Sequence, residues 1–342
     1  MAAGAGPGHR ITGHHAPHDR SNTVRSAAAP LKIGVIGLGD IAAKAYLPVL
    51  TAQPGVELHL HTRTRAALDR VGDAHRVPHR HDDLDALLAQ GLDAAFVHAP
   101  TTAHVEIAER LIRAGVAAYV DKPLAPDLAG ARHLVELAER HGVPLMTGFN
   151  RRYAPAYAAL TDRPRDLIVM EKNRPASPED PRTVVFDDFI HVVDTLRFLA
   201  PGAVEHVHVA ARTRDRLLHH VVLQLTGAGF SAIGVMNRMS GSAEETLEVM
   251  GEGTKRQVSA LTRVTDHEAG RLATTDCGDW TPVARRRGIE QITLAFLDAV
   301  RTGTPVDARD ALRTHELCEH IVTEIERQDA AGAPRPPVAA SA

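Results

Sequence analysis

Two short stretches carry residue types able to hold a charge and move a proton. In Tyr119-Val120-Asp121-Lys122-Pro123-Leu124 an apolar run stops abruptly on an acid, a base and a proline. Proline cannot continue a strand ladder and biases its predecessor towards extended geometry, so Lys122 is expected on a stiff corner at a strand end. Either the chain simply turns there or it aims an amine at something. The second stretch, TVVFDDFIHVVDTLRFLAP from Thr183 to Pro201, read as a helix sets Asp187, His191 and Asp194 at i, i+4 and i+7 on one face. Phe186, Ile190, Val193, Leu196 and Leu199 form a neighbouring apolar stripe, so the trio is not simply a water-facing side. Such a trio can be a metal pair, a buried ion pair, or an acid/base group with its orienting carboxylate. One imidazole is a poor metal set, and no metal site is expected.

A third element lies upstream, where Val35-Ile36-Gly37-Leu38-Gly39-Asp40-Ile41-Ala42 spells GxGxxA at a strand-to-helix junction. Gly37 would allow the tight turn, Gly39 the approach of backbone to a pyrophosphate, and Ala42 close helix packing. Asp40 and Ile41 open the helix, whose N–H groups and positive dipole end face the phosphates. Dinucleotide enzymes that prefer NAD usually place an acid after the second strand, but here the chain reads His61-Thr62-Arg63-Thr64-Arg65. A hydroxyl followed by guanidinium groups suits a 2′-phosphate, so Thr62 and Arg63 favour NADP without excluding NAD. A solvated helix start explains the same arginines. The fourth strand ends in His98-Ala99-Pro100-Thr101-Thr102-Ala103-His104, placing Pro100 and Thr101 beneath the nicotinamide ribose, with His104 as a packing or capping residue nearby. A dinucleotide enzyme moves a proton as it moves a hydride, which fits the acid/base reading of His191.

The elements that must position these residues follow from periodicity. From Leu31, apolar runs (LKIGVIG, VELHLHT, LDAAFVHAP, VAAYVDKP, VPLMTGFN) alternate with amphipathic helical stretches, which implies βαβ units and a parallel, doubly wound sheet. After Asn150 short runs of period two follow one another between turns, interrupted by a helix near Phe186–Leu199, which implies an open, mostly antiparallel sheet domain. The expected organisation is a tail over 1–30, a nucleotide-binding domain over 31–150, a substrate and dimerisation domain over 151–328, and a flexible end over 329–342. The tail holds His9, His14, His15 and His18 without preorganised geometry.

Bulk composition narrows the function classes. The chain has 342 residues, 44% hydrophobic and 24% charged, with a formal net charge of -3, so no strong field is available to recruit nucleic acid or an anionic membrane. No run approaches the ~18 apolar residues a membrane helix needs. Cys277 and Cys318 are far apart and imply neither a disulfide framework nor a zinc site, so a reducing cytoplasm is expected.

GVIGLGDIA, DKPL and DDFIHVVD occurring in that order resemble the Gfo/Idh/MocA family of NAD(P)-dependent oxidoreductases over about Leu31 to Gln328. GLGDIAAKAYLPVL, DAAFVHAPTTAHVEIAERLIRAGV and LMTGFNRRYAPAY are especially similar to its MviM-like subgroup. The resemblance implies a lysine, at Lys122, contacting substrate beside the nicotinamide, with Asp121 where Glu is commoner. It implies His191 as the proton donor or acceptor, Asp187 as the residue positioning it or the substrate, and a structural role for Asp194. It also implies a second-domain sheet that builds a homodimer or homotetramer. The missing acid after strand two puts NAD preference in doubt. The expected reaction interconverts a secondary alcohol and a ketone on a sugar, cyclitol or related polyol, with Lys122 and His191 at the reacting oxygen. Arg151, Arg152 and Tyr153 follow the last nucleotide-domain strand; Arg152 is expected at the substrate mouth, which would favour an acidic or phosphorylated small molecule. Alternatives are a biosynthetic imine or carbonyl reductase, or a non-catalytic NADPH-binding regulator.

Overall fold

In the computed structural model, which describes residues 29–332, the run LKIGVI forms strand β1 (Leu31–Ile36), buried from Ile33 to Ile36. Continuous burial is the mark of a strand covered on both faces, as a parallel sheet requires. The expected tail, with its four histidines, lies outside the described residues except for its last two positions, and most of the expected flexible end lies outside them too. The remaining parallel strands are β2 (Val56–His61), β3 (His79–His81), β4 (Ala94–Val97), β5 (Ala117–Val120) and β6 (Leu145–Thr147). Their order, β3-β2-β1-β4-β5-β6, is the doubly wound arrangement that the alternating pattern predicts. Register pairs Ile36 with both His61 and Val97, and Val97 with Val120. The turns beginning at Gly37, Thr62, His98 and Asp121 therefore leave the sheet along one edge, on either side of the β1/β4 switch point.

The second sheet holds β7 (Leu167–Asn173), β8 (His206–Arg214), β9 (Leu217–Gly227), β10 (Phe230–Asn237), β11 (Glu244–Gly251), β12 (Thr254–Ser259), β13 (Arg263–Glu268) and β14 (Arg271–Asp276), in the order β14-β13-β12-β11-β7-β10-β9-β8. Only the β7–β10 pair is parallel. The helix expected near Phe186–Leu199 starts earlier, at Pro181, and contains a wide π turn over Val185–Phe189 before the regular stretch Ile190–Leu199. Its apolar side, including Val192 and Leu196, is buried in one core with the inward residues Ile168 and Met170 of β7 and Ala232 of β10.

The closing helices tie the halves together. Ile289–Thr302 returns to the first sheet, where Phe296 sets its ring edge-on to Phe96 at 5.3 Å. Ala308–Gly332, which runs four residues past Gln328 into the end expected to be flexible, packs against Leu128–His141 and crosses to β8. There Gln328 accepts from Ala211 N–H and donates to the Val209 carbonyl, satisfying backbone groups that an edge strand otherwise leaves bare. No helix among the described residues is long and apolar enough to cross a membrane.

Candidate active site

The β1 turn is built to admit another molecule. Gly37 has φ +88°, and a Cβ there would stand 2.5 Å from the Ala99 amide, so glycine is required for the β1 and β4 ends to meet. Gly39 is the opposite case: a Cβ would meet nothing within 4 Å, leaving bare backbone facing open space at the helix start. A cleft of about 420 Å³ opens at this sheet edge, lined by Gly37, Thr62, Arg63 and Pro100 and also by Asp82, Asp83 and Arg110. This geometry fits a dinucleotide, with backbone for the pyrophosphate and a mixed-charge end for the adenosine ribose. Asp40 and Ile41 are exposed at the helix start, where Asp40 pairs with Lys44 at 2.6 Å. Thr101 opens a short turn and makes no capping hydrogen bond.

Along the same sheet edge, Lys122 reaches across to the second domain. Its Nζ donates to the main-chain carbonyl of Asp187 at 2.7 Å. The corner itself is fixed from three directions. Asp121 Oδ1 accepts the Lys122 amide at 2.8 Å, the His104 ring nitrogens lie 2.8 Å from the Pro123 carbonyl and 2.9 Å from that of Ala99, with one N–H to donate to one of them, and the Leu124 amide donates to His315 Nε2 at 2.9 Å. One residue past the wide turn's end lies Ile190, and then His191, buried, with no hydrogen bond to its ring nitrogens among the described residues. Burial, reinforced by Arg151, Lys172, Lys122 and Arg174, holds this imidazole well below the usual histidine range. At neutral pH it is a neutral base in the field of these cations.

Comparison with known proteins agrees with this construction. A family model described as "Oxidoreductase family, NAD-binding Rossmann fold" (Gfo/Idh/MocA) matches residues 31–149, and one described as "YceM-like, C-terminal domain" matches 155–269. A Salmonella typhimurium protein named "Putative oxidoreductase YceM" is 34% identical over 287 residues, covering 80% of this chain and 91% of its own. The chain belongs to the Gfo/Idh/MocA oxidoreductase family. The solved Clostridium difficile dehydrogenase MviM superposes with a TM-score of 0.81 at 30% identity, over 86% of this chain and 99% of its own. A D-apiose dehydrogenase of Paraburkholderia graminis is 29% identical over 293 residues, covering 75% of this chain and 76% of its own.

Within this Gfo/Idh/MocA chain, several residues sit otherwise than their spacing predicts. Asp187 and His191 do not form a pair: the i→i+5 closure of the wide turn offsets the i, i+4 register, leaving the Asp187 carboxylate exposed. Asp188 turns instead to the sheet, where it accepts from Lys172, from Arg174 Nε at 2.8 Å and from Arg238 at 3.0 Å. Although burial pushes the Asp188 carboxyl up, Arg174 and Lys172 hold it well below the usual carboxylate range. Burial and Arg151 bring Lys172 down to about 8. Arg152 is not free for substrate. It grips buried Asp194 with two bonds (2.8 and 2.6 Å), also binds Asp310, and lies over the rings of Phe149 and Phe198. Arg151 is likewise taken by Glu245 at 3.1 and 2.9 Å, so neither arginine argues for an acidic substrate. His104 is buried behind the corner it braces and does not face the cleft.

Lys172, Glu245 and Arg238 were not singled out by sequence reasoning. A signal existed: Ile168, Met170 and Lys172 share one parity in β7, and Arg238 continues the inward series Phe230, Ala232, Met236. A polar residue at an inward position of a strand is a candidate for the site.

Proposed function

We propose that this chain interconverts a secondary alcohol and a ketone on a sugar, cyclitol or related polyol, with NADP favoured over NAD. The observation that carries this reading is the 2.7 Å bond from Lys122 Nζ to the Asp187 carbonyl, which brings the strand-end lysine to the segment bearing His191. An ammonium has three donors, so one bond to Asp187 leaves two for a substrate oxygen. His191, neutral and with its ring unpaired, accepts the hydroxyl proton during oxidation and returns it during reduction. Lys122 stabilises the negative charge that builds on that oxygen. Bound nicotinamide supplies the hydride acceptor in one direction and the donor in the other. The exposed Asp187 carboxylate, unpartnered among the described residues, holds a neighbouring substrate hydroxyl. The D-apiose dehydrogenase relative supports a carbohydrate substrate.

The same reading places the protein in the cytoplasm as an oligomer joined through the eight-stranded sheet, whose outer face carries half-buried residues along β9 to β12. The deciding experiment mixes purified protein with NADP⁺ or NAD⁺ and a panel of sugars and cyclitols, and with reduced cofactor and the matching keto sugars. Turnover on a polyol or its ketone supports the reading. Cofactor binding without turnover across the panel, or turnover confined to imines, overturns it. Light scattering coupled to size exclusion tests the oligomer.

A further inference from the structure

We propose that Glu57, His59 and His79 form a binding site for a divalent transition-metal ion of the zinc class, on the edge of the parallel sheet and away from the Lys122 corner. Sequence spacing hides the trio, because His79 lies on the next strand. Strand alternation puts Glu57, His59 and His61 on one face of β2, and parallel pairing sets His59 against His79 and His61 against His81. One ligand atom from each of Glu57, His59 and His79 lies within 4.8 Å of the other two. The His59 ring stacks on that of His79 at 4.5 Å and on that of His81 at 5.5 Å.

The roles of the individual nitrogens make this more than a group of imidazoles. His59 Nε2 faces Glu57 Oε1 at 2.9 Å, while His59 Nδ1 faces His81 Nε2 at 3.2 Å. That is the division a ligating histidine shows: one nitrogen for the ion, the other donating its N–H to a second group that fixes tautomer and ring orientation. His81 is that second group, and His61 Nδ1 in turn donates to the His81 carbonyl at 3.0 Å. With metal–nitrogen and metal–oxygen lengths of about 2.0–2.2 Å, tetrahedral ligand atoms stand roughly 3.3–3.5 Å apart. Glu57 and His59 need only a small opening, and the exposed His79 ring can turn inward. Two imidazoles and a carboxylate match zinc, nickel and copper better than calcium or magnesium, and three protein ligands leave a position for water.

The test uses the full chain, stripped with chelator and titrated with Co²⁺, then Zn²⁺, following the visible bands of low-symmetry four- or five-coordinate cobalt and the metal retained after dialysis. The expected result is one equivalent bound, with bands that Zn²⁺ removes. His79→Ala, at an exposed position, should abolish the bands and weaken retention at least about tenfold with an unchanged circular dichroism spectrum. Glu57→Gln should weaken retention too. A variant with His9, His14, His15 and His18 all changed to Ala should keep the bands. Their absence from the wild type, their persistence in His79→Ala, or their loss with the tail histidines overturns the proposal. In those cases Glu57, His59 and His81 form a plain hydrogen-bonded chain.

Discussion

Lys122 Nζ and the main-chain oxygen of Asp187 stand 2.7 Å apart, although 65 residues separate them. This bond joins the parallel sheet's edge to the helix of the second domain, so the two motifs proposed to hold charge and move a proton meet through it. Asp187 contributes through its carbonyl, while its exposed side chain has no partner among the described residues.

If Lys122 and His191 act at the reacting oxygen, Lys122→Ala and His191→Ala each lower kcat by at least about tenfold, since general acid/base and electrostatic contributions run to 10²–10⁴. NAD(P)H affinity, read by nicotinamide fluorescence, stays near wild type. Unchanged turnover in both variants removes these residues from the mechanism.

The pH profile of kcat/KM is expected to report His191. Burial and four cations favour its neutral form, so the acid limb lies well below the ordinary histidine value of about 6.5. Lys172→Met removes one of those cations and should move the limb to higher pH. Movement to lower pH, or none, contradicts the assignment.

Stability should also fall on mild acidification, through His315. Its ring is fixed as one tautomer, Nδ1–H donating to the Ala311 carbonyl at 2.9 Å and Nε2 accepting from Leu124 in the Lys122 corner. Burial pushes it down to about 4. Above pH 6.5 both folded and unfolded chains are neutral at this site and the contribution is complete. Between about 6.5 and 4 the unfolded chain takes up a proton that the folded chain refuses, a loss reaching about 3 kcal/mol. Urea unfolding at pH 7 and pH 5 measures it, and His315→Gln, which keeps an acceptor without titrating, should flatten the difference. Equal pH dependence in the variant would refute this.

How far such relationships were legible depends on how local their causes are. Apolar runs such as VIG and AAFV announce parallel strands because both faces are covered, whereas β3, His79-Arg80-His81, has no apolar residue and shows itself only by pairing with β2. The wide turn at Val185–Phe189 was invisible because a 3.6-residue period was assumed for the whole helix. Asp188 therefore passed unnoticed while Asp187 was given its role. Lys172 was legible by parity alone, but placing Glu245 opposite it needed the β7–β11 register, and His315 needed the last helix docked 191 residues beyond Leu124.

Arg152 separates a structural tie from a substrate contact. Asp194 is buried and Asp310 half-buried against it, so Arg152→Ala strands carboxylates and should cost on the order of 3 kcal/mol by urea unfolding. Lysine cannot reproduce the paired grip, and Arg152→Lys should recover little. Where the variant is folded, KM for substrate should remain near wild type; a large KM rise with full stability would return Arg152 to the substrate mouth.

Cofactor choice turns on the cleft end lined by Arg63, Asp82 and Asp83. Arg63 is exposed on the turn after β2, where an acid would otherwise receive ribose hydroxyls, and a guanidinium there can take two oxygens of a 2′-phosphate. Asp82 and Asp83 line the same cleft and could receive hydroxyls, so the two cofactors are separated by one residue's contribution, not by an exclusion. A charge-assisted contact is worth about 1.5–3 kcal/mol, or roughly 10- to 150-fold. Arg63→Ala should therefore weaken NADPH by at least about tenfold while NADH changes little or improves, and raising ionic strength should narrow the wild-type preference. Equal losses for both cofactors would make Arg63 a contact to the shared part of the dinucleotide. A gain for NADPH would mean that Asp82 and Asp83 govern the choice.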